Sequence, residues 1–367
     1  MFLISRCRTI IKGISASLLL VDVVNNCVMN KVIMKKYFII FVSVLVYSTM
    51  LKPTGVQAYF GALLEPPDGH VYHGAQAEVR PLPHINKIGV DWTGLDEYSV
   101  RIGKRPKLVM HYISLDPLAF YILRSKLREI TQREYDYIPQ IGLDFYTYFR
   151  SFNILRPTDI TPAIAAGEYD QRIKKLARLF IEMDSPVFIR TGYEFGGNGQ
   201  GRFASKKHWI AAWKRIHGIF RHEGAIKVAF VWNTLDAEDY MDYYPGDEYV
   251  DWWGINVFVN NASENAFVNK FILDALMHKK PVMIGESTPR YLGSVNGKKS
   301  RDEWYAPYFK LIKKYKHIKA FCYINSSWEG YPDKTFKHDC RVYRNEVVLD
   351  SYKKMISLPG VIHANKR

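Results

Sequence analysis

Cysteine is scarce in this chain: there are four in 367 residues, and Cys7 and Cys27 fall within the first 33. The remaining two, Cys322 and Cys340, exclude a disulfide-built scaffold and are too few to form a structural zinc site alone. Whether they bond to each other stays open, because bridge geometry is not legible in sequence. No apolar run reaches the roughly 20 residues of a comfortable membrane span. Internal repeats, low-complexity linkers and nucleic-acid-binding motifs are lacking too. The glycines of Gly196–Gly201 are not spaced as in a phosphate-cradling loop, which makes them a flexible loop. His70-Val71-Tyr72-His73 lacks the spacing of a helical metal site and reads as part of the loop after a first strand. No metal and no cofactor are expected.

Basic residues are plentiful, 51 Lys and Arg against 36 Asp and Glu. Such an excess suits an acidic polymer or an anionic surface. The runs Arg172-Ile173-Lys174-Lys175 and Lys313-Lys314-Tyr315-Lys316 lie in helical patterns, however, and read as solvated helix faces. Aromatic residues make up 14% of the chain. They fill cores, and they also form flat platforms on which ring-shaped ligands stack.

Near the N-terminus Lys35-Lys36, the apolar Tyr37–Tyr47 and the small-residue ending Val56-Gln57-Ala58 form the three parts of a secretory signal. Met34 directly precedes the lysines. Residues 1–33 are therefore expected to be an upstream over-extension of the reading frame, residues 34–58 a signal peptide, and residues 59–367 the mature, secreted or periplasmic domain. The mature protein is expected to be a monomer with no stable membrane association and no nucleic-acid partner.

From Tyr59 onward, β-rich runs alternate with helical patterns. The runs are Tyr59–Leu64, Lys107–Leu115, Ile138–Tyr146, Pro186–Tyr193, Lys227–Asn233, Val250–Phe258, Pro281–Glu286 and Lys319–Asn325. Helices are expected at Tyr169–Met183, Ala266–His278 and Asp302–Tyr315. Another runs from an N-cap at Ser205 through Trp209, Ala212, Trp213, Ile216 and Phe220 to Gly224. Eight strands separated by helices predict a parallel sheet closed into a single (β/α)8 TIM barrel.

A barrel of this kind carries its site at the C-terminal strand ends. There lie His111, Asp144, Arg190, Tyr193, Glu194, Trp232, Asn256, Phe258, Glu286 and, after the last strand, Trp328. Glu194 and Glu286 end the fourth and seventh runs, so their carboxylates can face each other across the mouth. Glycosidic hydrolysis needs such a pair, one carboxyl as proton donor and the other on the opposite side of the sugar. Trp232 and Trp328 are expected to stack on sugar rings. Of the adjacent Trp252 and Trp253, at most one faces inward.

The segments Arg190–Gly197 (RTGYEFGG), Val231-Trp232-Asn233, Tyr243–Phe258 (YYPGDEYVDWWGINVF) and Lys280–Ser287 (KPVMIGES) resemble the core of glycoside hydrolase family 26. The resemblance covers roughly residues 59–330. It implies a retaining endo-glycosidase acting on β-1,3-xylan, β-mannan or β-glucan, with Glu194 as acid/base and Glu286 as nucleophile. The remaining mouth residues, Arg190, Tyr193, His111, Asp144, Trp232, Asn256, Phe258 and Trp328, are expected to bind substrate. The family's mannanases carry His where Tyr193 stands, and the Tyr-Glu-Phe form is closer to its β-1,3-xylanases, which tend to carry Asp at the place of Gly196. A Tyr often closes the sixth-strand motif, where this chain has Phe258. A non-catalytic glycan-binding barrel is the alternative.

Overall fold

The computed structural model describes residues 59–77, 92–151, 154–196, 203, 205–330 and 337–367. The expected signal peptide, and all of the glycine-rich loop but Gly196, lie outside the described residues.

Eight parallel strands close on themselves. They are β1 (Val71–Gln76), β2 (Leu108–Ile113), β3 (Ile138–Leu143), β6 (Val187–Thr191), β7 (Val228–Thr234), β8 (Trp252–Val257), β9 (Val282–Ser287) and β10 (Ile318–Ile324), and β10 pairs with β1 to complete the barrel. The expected TIM barrel is the observed fold. An antiparallel hairpin, β4 (Tyr146–Ser151) and β5 (Ile154–Asp159), leaves the C-terminal end of β3. A short strand β11 (Val361–Ile362) runs parallel to β1 outside the closed ring.

The helices are α1 (Trp92–Ile102), α2 (Pro117–Gln132), α3 (Thr161–Ala166), α4 (Asp170–Met183), α5 (Lys206–Glu223), α6 (Ala266–Met277), α7 (Ala306–Lys314) and α8 (Glu346–Ile356). A π-helical turn at Arg301–Tyr305 leads into α7. In α5 the Ser205 hydroxyl accepts from the His208 N–H, and Gly224 ends the helix at φ 88°. The buried stripe of α5 comprises Trp209, Ala212, Trp213, Ile216 and Phe220, as its spacing predicts.

Alternation along each strand divides the core into two layers. Leu108, Met110, Phe188, Ala229, Val231, Trp252, Met283 and Cys322 fill the barrel. Val109, Ile189, Phe230, Trp253 and Ile284 face the helices. Of the adjacent tryptophans, Trp252 is thus inside and Trp253 outside.

The first strand departs from the expectation. Tyr59–Leu64 contains no strand; it turns at Gly61 and Leu64, both at positive φ, and Pro66-Pro67 follows. Ala62, Leu63 and Leu64 pack against the inner cluster, and the Leu63 carbonyl accepts from the Trp252 indole at 2.8 Å. The true first strand, VYHGAQ, is poor in β-formers. Gly74 is required there, because a Cβ would strike Cys322 Sγ and the Leu108 side chain. His73, expected in a loop, is a fully buried strand residue. Cys322 and Cys340 are both free and buried, and burial pushes each thiol up to about 12.

Candidate active site

At the end of β6 the backbone turns sharply. Gly192 and Glu194 both take left-handed φ, 54° and 57°. A side chain at Gly192 would collide with Phe145 and the Trp209 indole. For Glu194 the conformation is a strained one, costing about 1–3 kcal/mol. It is held by a hydrogen bond from the Glu194 N–H to the Asn233 carbonyl, 2.8 Å, and by the Phe195–Thr234 bridge to β7. Such outliers cluster where a side chain must be aimed.

Glu286 is aimed by a different device. Met283 and Gly285 face into the barrel, so strict alternation would send Glu286 outward. The register of β9 slips against both neighbours at this point, pairing Asn256 with Glu286 on β8 and Tyr323 with Ser287 on β10. The bulge turns Glu286 inward.

Arg190, fully buried on β6, donates to Glu286 Oε1 at 2.8 Å. Burial opposes the charge on the guanidinium. Glu286 and Tyr112 more than offset that, and its pKa is raised. Arg190 Nη1 also reaches Asn233 Oδ1 at 3.2 Å and Asn256 Oδ1 at 3.5 Å. Asn233 Nδ2 donates to Asn256 Oδ1 at 3.1 Å, and Asn256 Nδ2 donates to Glu194 Oε1 at 2.9 Å. The two glutamates are thus joined by one continuous network through the barrel mouth.

Most of the expected site residues meet here. Tyr193 stacks obliquely on Tyr112 at 5.5 Å between centroids, and Arg190 lies 4.9 Å from the Tyr193 ring centre. Asp144 has the inward parity of Gln140 and Gly142 and accepts from the Tyr146 N–H at 3.2 Å. Phe258 is buried at the rim, with the Arg290 guanidinium 5.8 Å from its ring centre. Trp328 is half-buried against the inner cluster.

Two expected residues are elsewhere. Trp232 is completely buried between barrel and helices; its indole donates to the Tyr243 carbonyl at 3.1 Å and its ring meets Phe195, Tyr244 and Trp253. It cannot be a sugar platform. His111 shares the outward parity of Val109 and Ile113, and neither ring nitrogen has a hydrogen bond. Burial, with Lys126 nearby, holds its pKa well below the usual value.

Their inward neighbours, Asn233 and Tyr112, are the site residues that were missed. Packing desolvates the Tyr112 phenol and pushes its pKa well up, with Glu286 adding to the rise. The signal was parity: Val231 and Asn233 alternate with Trp232, and Met110 and Tyr112 with His111. Among the described residues no three His, Cys, Asp or Glu side chains come together as a metal site would require.

The profile of glycosyl hydrolase family 26 matches residues 165–351. The chain belongs to glycosyl hydrolase family 26. Among curated relatives it is 28% identical over 192 residues to a beta-1,3-xylanase of an Alcaligenes species and 27% identical over 192 residues to the beta-1,3-xylanase TXYA of a Vibrio species. Each match covers 46% of this chain, but only 40% and 41% of the respective relative. The catalytic domain of a Bacillus GH26 endo-beta-1,4-mannanase superposes with TM-score 0.59 at 15% identity, over 80% of this chain and 88% of that one. A Bacteroides ovatus GH26 beta-mannanase superposes with TM-score 0.54 at 15% identity, over 80% and 90%. This family 26 chain thus shares its fold with mannanases while its sequence relatives are xylanases.

Proposed function

We propose that this family 26 protein is a secreted retaining endo-glycosidase that cleaves a β-linked polysaccharide, with β-1,3-xylan the first substrate to test. The observation that carries the reading is the Glu194–Asn256–Arg190–Glu286 network, two carboxyls from well-separated strands directed into one barrel mouth. The names of the two sequence relatives support the choice of xylan.

Glu286 attacks the anomeric carbon while Glu194 delivers a proton to the departing oxygen. Water then displaces the sugar from Glu286 with Glu194 acting as base. Arg190 steadies the nucleophile, and Tyr112, Tyr193 and Asp144 line the approach. Export follows from the signal-like segment Met34–Ala58, so the secreted protein should begin Tyr-Phe-Gly-Ala when sequenced from its N-terminus.

A reducing-end assay on β-1,3-xylan, mannan and mixed-linkage glucan, with and without chelator, tests the assignment. Chelator-insensitive release from xylan is expected. Glu286→Ala should nearly abolish turnover, and azide should restore part of it as the inverted glycosyl azide. Glu194→Ala should retain activity only on activated aryl glycosides. A product of inverted configuration from the unaltered protein would overturn the retaining mechanism, and no turnover on the whole panel would overturn the enzyme reading.

A further inference from the structure

The groups between the two carboxylates admit only one pattern of donors and acceptors. Arg190 can only donate. Asn233 must therefore turn its amide oxygen toward Arg190, which sends its NH2 to the Thr234 carbonyl at 2.9 Å and to the oxygen of Asn256 at 3.1 Å. With its oxygen engaged by Asn233 and Arg190, Asn256 must present its NH2 to Glu194 Oε1. Flipping Asn256 would set donor against donor at Asn233 and oxygen against oxygen at Glu194. The orientation is thus dictated from a guanidinium two residues upstream in the relay. Gly285 keeps the relay in place, since a Cβ there would strike Asn233 Oδ1 and crowd Arg190.

We propose that Asn256 is a positioning residue: with Asn233 and Arg190 it commits Oε1 of Glu194 to accepting a hydrogen bond and so assigns the transferable proton to Oε2. This rests on the reading of Glu194 as acid/base. In the first step the Oε2 proton passes to the glycosidic oxygen as the C1–O bond breaks with its electron pair on that oxygen, and Glu286 bonds to C1. In the second step Oε2 takes a proton from water as the water oxygen bonds to C1 and the C1–Glu286 bond breaks, its electron pair returning to the Glu286 carboxylate. Among the described residues, ionisable groups near Glu194 include its chain neighbour Tyr193 and Tyr112 on β2, with Arg190 and Glu286 at the other end of the relay. The bond to Oε1 comes from the Asn256 amide.

The test uses an isostere that reverses the bond. Asn256→Asp keeps size and shape but puts an acceptor against Oε1, so one proton is trapped between the two carboxyls, away from the substrate. Asn233→Asp frees the Asn256 amide to flip and should have the same effect without touching Glu194. Rates are measured on aryl β-xylotriosides whose phenols span a range of acidity. For the poorest leaving groups Asn256→Asp should lose more than Asn256→Ala, by about 10- to 100-fold. Asn233→Asp should follow the aspartate pattern, and the losses of all three should shrink as the leaving phenol becomes more acidic.

In parallel, carboxyl 13C NMR of the parent, N256D and N233D follows Glu194 without any turnover. Its titration midpoint should move upward in both variants. A merely packing role predicts the reverse order, with the isosteric aspartate milder than alanine, equal losses for all leaving groups, and an unmoved midpoint; that result overturns the proposal. If N256D fails to fold, N233D carries the test alone. If the parent cleaves nothing while the midpoint still moves, the relay stands and the glycosidase reading falls.

Discussion

At the scale of single residues, neighbours on one strand have opposite fates. Trp232 and Asn233 are adjacent on β7, yet one is sealed among aromatic rings of the outer layer and the other lies in the network between the carboxylates. Aromatic character and a place at a strand end mark Trp232 for sugar stacking; strand parity removes it from the mouth and leaves Trp328 there. The two tryptophans should therefore respond oppositely to truncation. Trp232→Ala should cost about 3–5 kcal/mol of stability, as large aromatic deletions in a core do. Trp328→Ala should leave the melting temperature nearly unchanged and lower kcat/KM roughly 2- to 10-fold, the worth of one aromatic contact of about 0.5–1.5 kcal/mol. Denaturation curves and initial rates on the active polysaccharide, taken together, check both.

At the scale of elements, the C-terminal segment straps the bottom of the barrel. Strand β11 pairs with β1, His363 bridges to Pro106, Lys366 bridges to Tyr135, and the Arg367 N–H reaches the Glu134 carbonyl at 2.7 Å. The strap is keyed by an imidazole pair. His363 Nε2 lies 2.9 Å from the Ile356 carbonyl and must donate to it, so its Nδ1 accepts. His73 Nδ1, 3.1 Å away, must then carry a proton, and His73 Nε2 accepts from the Tyr98 hydroxyl at 2.8 Å. Both rings are neutral. His363→Ala would strand the His73 N–H in the core and should cost about 1–3 kcal/mol, measurable by urea denaturation. A loss under about 0.5 kcal/mol would mean that the strap is held by its backbone pairings alone.

At the scale of the whole molecule, buried and half-buried histidines contribute to the response to acid. Burial, the largest cause in each case, lowers the pKa of His73, His111, His217, His317 and His363, and that of His217 falls to about 4. An unfolded chain takes up these protons near pH 6.5. The folded chain does not until the pH is lower. Unfolding is therefore accompanied by proton uptake, and stability present above pH 6.5 is lost as the pH falls toward 4. Each such histidine contributes at most about 1.4 kcal/mol per pH unit within that window. The melting temperature should drop steadily from pH 7 to pH 4.5, and the slope should be shallower in His217→Phe. A flat profile would show that the rings ionise freely in the folded state.

Much of this molecule was legible in its sequence. Seven of the eight strands, the α5 cap and stripe, both glutamates, and the family 26 resemblance follow from local patterns, because strand alternation and helical spacing are imposed by backbone geometry whatever the tertiary context. Local pattern failed where packing outvotes propensity. VYHGAQ becomes the first strand because closing the ring needs a residue without a side chain opposite Cys322, while the more β-like Tyr59–Leu64 is used to cover the barrel floor. Glu286 faces inward only through a slip in register between β9 and its neighbours, and Glu194 only through a left-handed turn held by β7. Arg190, Asn233 and Asn256 come from three strands, and their hydrogen-bond directions are decided by one another once the barrel is closed. Composition and spacing specified which segments reach the mouth; which side chains enter it, and which way their donors point, are properties of contacts that exist only in the folded chain.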